Sequence, residues 1–309
     1  KIQDQLVHKS PFAQKLFART VEAGWQRFEG RGSPLSWPIL KALVAKKILA
    51  KLGGRLRIAI CGGAPLSTPV AKTFIGLGLN LLQGYGLTET SPIISVNRSD
   101  NNVPTSVGPT LPGIEVKIGD NKELLTKSPC VMLGYWNNPT ATAEMIDNDG
   151  WLHTGDQAQI ESDRITITGR LKEILVLSNG EKVPPSDMEM AIAMDPLSDP
   201  VLGIGEGRPY LAALAVLEPN HWKTLAEVLG LDCEDIKALQ TEVVCKELLQ
   251  HITARIKNFP GYAQVQRVAV CRDPWTVENG LITPTLKLKR QRIMENYQQE
   301  VESLYAGHQ

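Results

Sequence analysis

The segment between residues 55 and 90 constrains the fold more than any other part of the chain. Residues 55–61 (Arg-Leu-Arg-Ile-Ala-Ile-Cys) form a short apolar-rich run bounded by glycines, which suits a buried strand. After the turn Gly62-Gly63-Ala64-Pro65, either Ser67 or Thr68 can cap a helix that carries Pro69 in its first turn. Residues 79–83 then supply a second strand, and the chain enters a glycine-bearing loop. Strand, helix and strand at these lengths imply a parallel βαβ unit with a right-handed crossover.

The character changes on either side. Residues 1–50 read mainly as helix, interrupted at Gly30-Arg31-Gly32-Ser33-Pro34. From about 106 to 168, runs such as 114–118 and 164–168 alternate apolar and polar residues between Gly, Pro, Asn and Asp turns, which predicts an antiparallel, barrel-like β region. Past Arg170 the pattern predicts a compact α+β unit: strand 173–178, helix 186–194, strands near 201–206 and 210–217, helices 221–229 and 234–257, strand 264–271 and a helix after 290. The expected fold class is therefore α/β plus α+β. The change of pattern divides the chain into residues 1–169 and 170–309.

Lys plus Arg and Asp plus Glu each number 33, a balance that argues against a nucleic-acid partner. The five cysteines are scattered and never closely paired, so neither a disulfide framework nor a zinc site is expected, and a reducing cytoplasm is. No apolar run reaches the about 18 residues that suggest a membrane span. Lys1 is not a Met, and residues 1–28 mix apolar and charged positions without a signal-peptide core, so the chain reads as starting inside a longer protein.

Gln83-Gly84-Tyr85-Gly86-Leu87-Thr88-Glu89-Thr90 follows the second strand, and ligands of open α/β sheets bind outside the carboxyl ends of strands. Its glycines let backbone approach a ligand, and adjacent Thr88 and Glu89 can meet a phosphate oxygen and its Mg²⁺. The same residues also make a plain glycine-rich turn ended by Pro92. Ser178-Asn179-Gly180-Glu181 reads as a hairpin turn, and Ser186 with Glu189 fits a helix capping box. His153 and Asp156 suggest a hydrolase dyad, but no Gly-x-Ser-x-Gly elbow supplies a nucleophile.

Taken in order, these segments resemble the adenylate-forming superfamily, which includes acyl-CoA synthetases, firefly luciferase and peptide-synthetase adenylation domains. Gly84-Tyr85-Gly86-Leu87-Thr88-Glu89-Thr90 resembles a core motif, and Gly62-Gly63-Ala64-Pro65 the adenine-side loop. In Gly150-Trp151-Leu152-His153-Thr154-Gly155-Asp156, the resemblance implies that Asp156 accepts both ribose hydroxyls. Thr168-Gly169-Arg170-Leu171-Lys172-Glu173 resembles the junction of the large and small domains; Arg170 would contact ribose and phosphate, and Lys172 would be the hinge. The hairpin at Gly180 would line the thiol tunnel. In residues 279–290, Lys287 takes the catalytic lysine position and Arg290 the arginine of Lys-x-x-Arg, in a style similar to long-chain fatty-acid–CoA ligases, with Lys289 as the neighbour most easily confused with it.

The resemblance implies ATP (leaving as AMP), Mg²⁺ on Glu89, and coenzyme A as co-substrate. Lys287, Thr88 and Glu89 would be catalytic. The family's Ser/Thr/Gly-rich loop ending Pro-Lys-Gly is absent, and no Gly-Lys dipeptide replaces it, so these 309 residues alone are expected to be inactive. Acyl carrier protein stays open as the thiol acceptor, as does a non-catalytic lipid- or partner-binding module. The joint presence of Thr88, Glu89, Asp156, Arg170 and Lys287 argues against the module. Membrane contact would be peripheral, at the inner face.

Overall fold

The computed structural model describes Leu6 and residues 9–32, 35–271, 273–284 and 286–307; Lys1, the Ser33-Pro34 step and Thr285 lie outside the described residues. The chain divides into two compact units, Lys1–Leu171 and Lys172–Gln309.

In the first unit, α1 (Pro11–Phe28) starts at Ser10, whose hydroxyl accepts the Ala13 N–H. Residues 37–50 are helical throughout, with a π-type segment at Lys41–Ala45. The βαβ unit forms from β1 (Ile58–Cys61), α2 (Thr68–Gly76) and β2 (Asn80–Gly86), with β1 and β2 parallel from Ile58↔Asn80 to Cys61↔Gln83. β1 is not the buried strand expected, since Ile58 and Ile60 point to an uncovered face and stand exposed. Because β2 begins only at Asn80, residues 55–57 find no ladder partner and β1 is shorter than expected. Ser67 takes the N-cap position and Pro69 the first turn, as the Pro preference for helix starts leads one to expect.

β3 (Ile93–Val96) pairs antiparallel with β2. The region read as alternating is a four-stranded antiparallel sheet of β4 (Glu115–Ile118), β5 (Glu123–Lys127), β6 (Leu152–Glu161) and β7 (Arg164–Arg170), in that order, with α3 (Pro139–Met145) between β5 and β6. Side chains alternate faces along a strand. In β6 that puts Leu152, Thr154, Asp156 and Ala158 on the buried side, so the period that builds the core also buries one carboxylate. Ile94, Leu124, Ala158 and Ile165 close a core shared by the two sheets of this unit.

The second unit opens with two corrections. The strand expected over 173–178 shrinks to β8 (Leu175–Val176), paired with β9 (Lys182–Val183). A 3-10 turn occupies Leu171–Glu173, and the Val176 N–H goes to the Glu206 carboxylate rather than to a neighbouring strand. The capping box at Ser186 does not form either. Pro184 is the N-cap and Pro185 the first residue of α4 (Pro185–Ile192), so the helix starts before Ser186 reaches a capping position. Ser186 faces Glu173 at 3.4 Å, and Glu189 turns to Arg290.

After β10 (Ser198–Ile204), β11 (Leu211–Leu217) and α5 (Pro219–Leu229), the single helix expected over 234–257 is two pieces. Thr241 is extended (φ −70°, ψ 147°) and separates a 3-10 helix, Ile236–Gln240, from α6 (Glu242–Ile256). β12 (Val265–Cys271) follows, and the last helix is broken at Tyr297 into α7 (Arg290–Asn296) and α8 (Gln298–Leu304), where the buried Tyr297 ring packs 6.3 Å from Trp275. The sheet order is β10-β11-β12, with β11 antiparallel to β10 and parallel to β12.

β11 is buried at every residue and apolar throughout, as a strand covered on both faces must be. Leu211, Ala213, Ala215 and Leu217 pack with α4, α5 and α6, while Ala212, Leu214 and Val216 pack with α7 and α8. At about 1.5–3 kcal/mol for each fully buried large aliphatic, this two-sided strand contributes to both cores of the unit. No described helix is long and apolar enough to cross a membrane.

Candidate active site

Two loops leave the carboxyl ends of the adjacent parallel strands β1 and β2. The first, Gly62-Gly63-Ala64-Pro65, is exposed, and a Cβ on Gly62 would stand 3.4 Å from the Gly84 carbonyl. The second runs from Gly84 through a 3-10 turn, Thr88–Thr90. Gly86 is required there for space alone, since a Cβ would lie 1.7 Å from the Pro92 carbonyl oxygen. The buried Thr90 hydroxyl accepts the Leu87 N–H at 3.0 Å and reaches the Pro92 carbonyl at 2.7 Å, which holds the turn closed. Thr88 and Glu89 are thereby presented from a fixed backbone. Gln83 is buried, and its amide donates to the Pro104 carbonyl at 2.5 Å, so it braces the strand from inside.

Tyr85, Asp156 and Arg170 come together, although 71 positions separate Tyr85 from Asp156. The Tyr85 hydroxyl donates to Asp156 Oδ2 at 2.6 Å, and Arg170 Nε donates to Oδ1 at 2.7 Å. Asp156 and Arg170 are register partners on β6 and β7, so the ladder itself sets their approach. Burial first, and then the Asp156 charge, push the Tyr85 phenol well above its ordinary value, which keeps it a donor. Asp156 is 5% exposed, while the Arg170 side chain is 43% exposed. His153 does not join them: its Nδ1 lies 2.9 Å from Glu123 Oε2, and Glu123 Oε1 accepts the Gly155 N–H. The residues of a hydrolase dyad thus have separate partners.

Glu89 has a partner that sequence reasoning missed. The Tyr135 hydroxyl donates to Glu89 Oε1 at 2.8 Å, and the Met132 N–H donates to the Glu89 backbone carbonyl, so residues 132–135 brace both the carboxylate and its backbone. That hydrogen bond is the main cause raising the Tyr135 phenol. A pairing across 46 positions leaves no local signal. Among the described residues, no group of three or more His, Cys, Asp or Glu side chains could cage a metal ion. A single braced carboxylate beside a threonine hydroxyl suits Mg²⁺ instead, which keeps most of its water and binds through one or two carboxylates plus substrate phosphates.

The remaining candidates lie in the second unit. Lys172 is its first residue and is exposed. Gly180 sits at the tip of the β8–β9 hairpin with φ +84° and donates its N–H to the Leu177 carbonyl. Lys287 is exposed on a closed loop: the Thr283 N–H bonds the Lys287 carbonyl at 2.8 Å, and the Lys287 N–H bonds Thr283 Oγ1 at 3.0 Å. All five cysteines are free.

Residues 12–136 match the AMP-binding enzyme family, and residues 172–309 match the AMP-binding enzyme C-terminal domain. The chain belongs to this family of adenylate-forming enzymes. It is 32% identical over 307 residues to long-chain-fatty-acid–CoA ligase FadD15 of Mycobacterium bovis, covering 94% of this chain and 50% of that protein. It is 32% identical over 320 residues to the chloroplastic long-chain-fatty-acid–[acyl-carrier-protein] ligase AEE15 of Arabidopsis thaliana, covering 96% and 41%. Among solved structures, the A domain of carboxylic acid reductase from Segniliparus rugosus, in complex with AMP and a co-purified carboxylic acid, is 25% identical with a TM-score of 0.71, covering 94% and 46%. The α/β plus α+β architecture is that of adenylation domains. The chain spans about half the length of the curated relatives it matches.

Proposed function

We propose that this chain carries the ribose, magnesium and lysine side of the active site of an enzyme that activates a long-chain fatty acid with ATP and passes it to the thiol of coenzyme A. The observation that carries the reading is the Asp156 carboxylate held between Tyr85 and Arg170 near the β2 loop, within a chain of this family. A carboxylate has about four acceptor sites, so the ribose diol can share it with the donors already there. Arg170 offers a guanidinium to the α-phosphate side, and the Gly62–Pro65 loop lies along the adenine.

In the first half-reaction a fatty-acid carboxylate oxygen attacks the α-phosphorus, forming a mixed anhydride as the bond to pyrophosphate breaks. Catalysis of such a step is positioning and charge stabilisation. Lys287 holds its ammonium between the carboxylate and the α-phosphate, while Thr88 donates to a phosphate oxygen. Mg²⁺, when bound beside Glu89, offsets phosphate charge. In the second half-reaction the thiolate sulfur attacks the acyl carbonyl and AMP leaves. The second unit would turn about Lys172 between the two, withdrawing Lys287 and bringing the Gly180 hairpin to the thiol, which suits a hinge at an element boundary.

An acyl carrier protein is the second reading for the thiol, favoured by the equal identity to the carrier-protein ligase. The enzyme would act in the cytoplasm, touching the inner membrane face at most peripherally. The test is fatty-acid-dependent ATP–pyrophosphate exchange by the complete gene product, followed by acyl transfer to CoA and, separately, to carrier protein. No exchange across fatty acids of all lengths would sink the proposal. These 309 residues alone, which contain no Pro-Lys-Gly phosphate loop, are expected to show no exchange.

A further inference from the structure

Glu189, read from sequence as a capping residue, has a different role in the fold. Its Oε1 accepts Arg290 Nη1 at 2.7 Å and the Gly203 N–H at 2.7 Å. Arg290 Nη2 in turn donates to the Gly203 carbonyl at 2.7 Å. Glu189, Arg290 and both backbone polar groups of Gly203 therefore close a ring of hydrogen bonds. β10 is an edge strand, and these Gly203 groups face away from β11, so the ring satisfies donors and acceptors that the sheet leaves open. Gly203 is needed for the approach, since a Cβ there would meet Met188 Cε at 2.7 Å. The side chains of Glu189 and Arg290 are only 14% and 21% exposed. Burial is the main influence on the Glu189 carboxyl and pushes it up, with Arg290 opposing.

This ring sits at the base of the loop that presents Lys287. The Ile282↔Leu288 bridge and the Lys289 N–H to Leu281 carbonyl bond form the stem, and Leu281 is buried with Ile293 in the core beneath α7. One side of the stem is thus held by a buried leucine, and Arg290, three residues after Lys287, closes the other. We infer that Glu189 is a positioning residue: through Arg290 and the Gly203 backbone it fixes the direction of the Lys287 loop. The adenylation step depends on this clamp, whereas the thioester step does not. The inference rests on the proposed role of Lys287. A loop whose far stem is clamped to an edge strand delivers its ammonium to one place each turnover, and a 1 Å error in such placement costs about 100-fold in rate.

Two readouts in the complete gene product separate the clamp from the function. In Glu189→Gln, hydrogen exchange at residues 279–290 should rise about tenfold or more while that of β11 stays unchanged. Pyrophosphate release should slow about 10–100-fold at unaltered ATP KM, and thioester formation from supplied acyl-adenylate should stay within about threefold of wild type. Arg290→Lys keeps the charge but loses the fork, so it should fall between Glu189→Gln and wild type. Adding Glu189→Gln to Lys287→Ala should cost nothing further. Exchange rising across β10, β11 and β12 alike, or both half-reactions falling equally, would show a merely structural pair and overturn the inference. A wild-type protein that adenylates nothing, with the 279–290 exchange effect intact, would remove the functional reading and this inference with it, and leave only a structural clamp.

Discussion

Two of the molecule's carboxylate–arginine pairs look alike on paper and differ in nearly every physical respect. Asp156 and Arg170 are 14 positions apart and face each other across one ladder, and the arginine is 43% exposed. Glu189 and Arg290 are 101 positions apart, and the arginine is 21% exposed. Arg290 also bonds the Gly203 carbonyl, and Glu189 Oε1 takes the Gly203 N–H, so this pair is used up within the fold. The Asp156 carboxylate takes its donors from two side chains, the Arg170 guanidinium and the half-buried Tyr85 phenol of β2. On the proposed reading, the pair that admits a ligand keeps an open arginine, and the pair that holds a loop does not.

Replacing Asp156 gives the largest expected effect. Asp156→Asn keeps the size and one acceptor but turns an amide N–H₂ toward Tyr85 and Arg170. At about 1.5–3 kcal/mol for each hydrogen bond to a charged group, AMP affinity of the complete gene product should fall about 10–100-fold by calorimetry. Arg170 can be rehydrated, so the melting temperature should change little. Glu189→Gln should leave AMP affinity within about twofold, because that pair makes no ligand contact. Equal losses of affinity in the two variants would erase the distinction between the pairs.

Tyr85→Phe is a finer probe. It removes the 2.6 Å donor to Asp156 and keeps the ring in the core beside Ile94 and Leu124. The loss of one hydrogen bond to a carboxylate predicts an AMP affinity lower by about fivefold to tenfold. If Tyr85 serves only the fold, affinity will stay at the wild-type value while stability drops, and calorimetry with thermal melting tells these apart.

The ease with which each pair could be read from sequence follows its geometry. β1, α2 and β2 were readable because apolar runs, bounding glycines and a proline at a helix start all act within a few residues. Asp156 and Arg170 were found as single residues in short motifs, but their mutual contact depends on the β6–β7 register. Tyr135 on Glu89 and Glu189 on Arg290 had no local signal, since tertiary closure creates both. Glu189 was misread because Ser186 and Glu189 have capping spacing, whereas Pro184 and Pro185 start the helix earlier. The misplaced strand over 173–178 and the unbroken helix over 234–257 failed for a related reason. A side chain from elsewhere, Glu206, took the backbone donor of Val176, and an extended Thr241 interrupted a period that the sequence carried through.

A third carboxylate tests the comparison at its weakest. Asp195 is 5% exposed and accepts the Leu197 N–H at 3.0 Å, Arg255 Nε at 3.0 Å and His251 Nδ1 at 3.1 Å. Burial pushes its carboxyl up, but the Leu197, Arg255 and His251 donors together outweigh it and hold the group below its ordinary value. A folded-state value below the unfolded one means that the unfolded chain binds more protons between the two. The stabilisation is therefore full above the unfolded value of about 3.9 and is lost as pH falls through the lower, folded value. Asp195→Asn should be less stable than wild type by about 1–2 kcal/mol at neutral pH, and the gap should close as pH is lowered below about 4. Other carboxylates with lowered values, such as Glu218, are shared by both proteins, so the difference between their melting curves isolates Asp195. A gap that stays constant down to acid pH would mean that Asp195 stabilises by its shape and hydrogen bonds alone, with no part played by its charge.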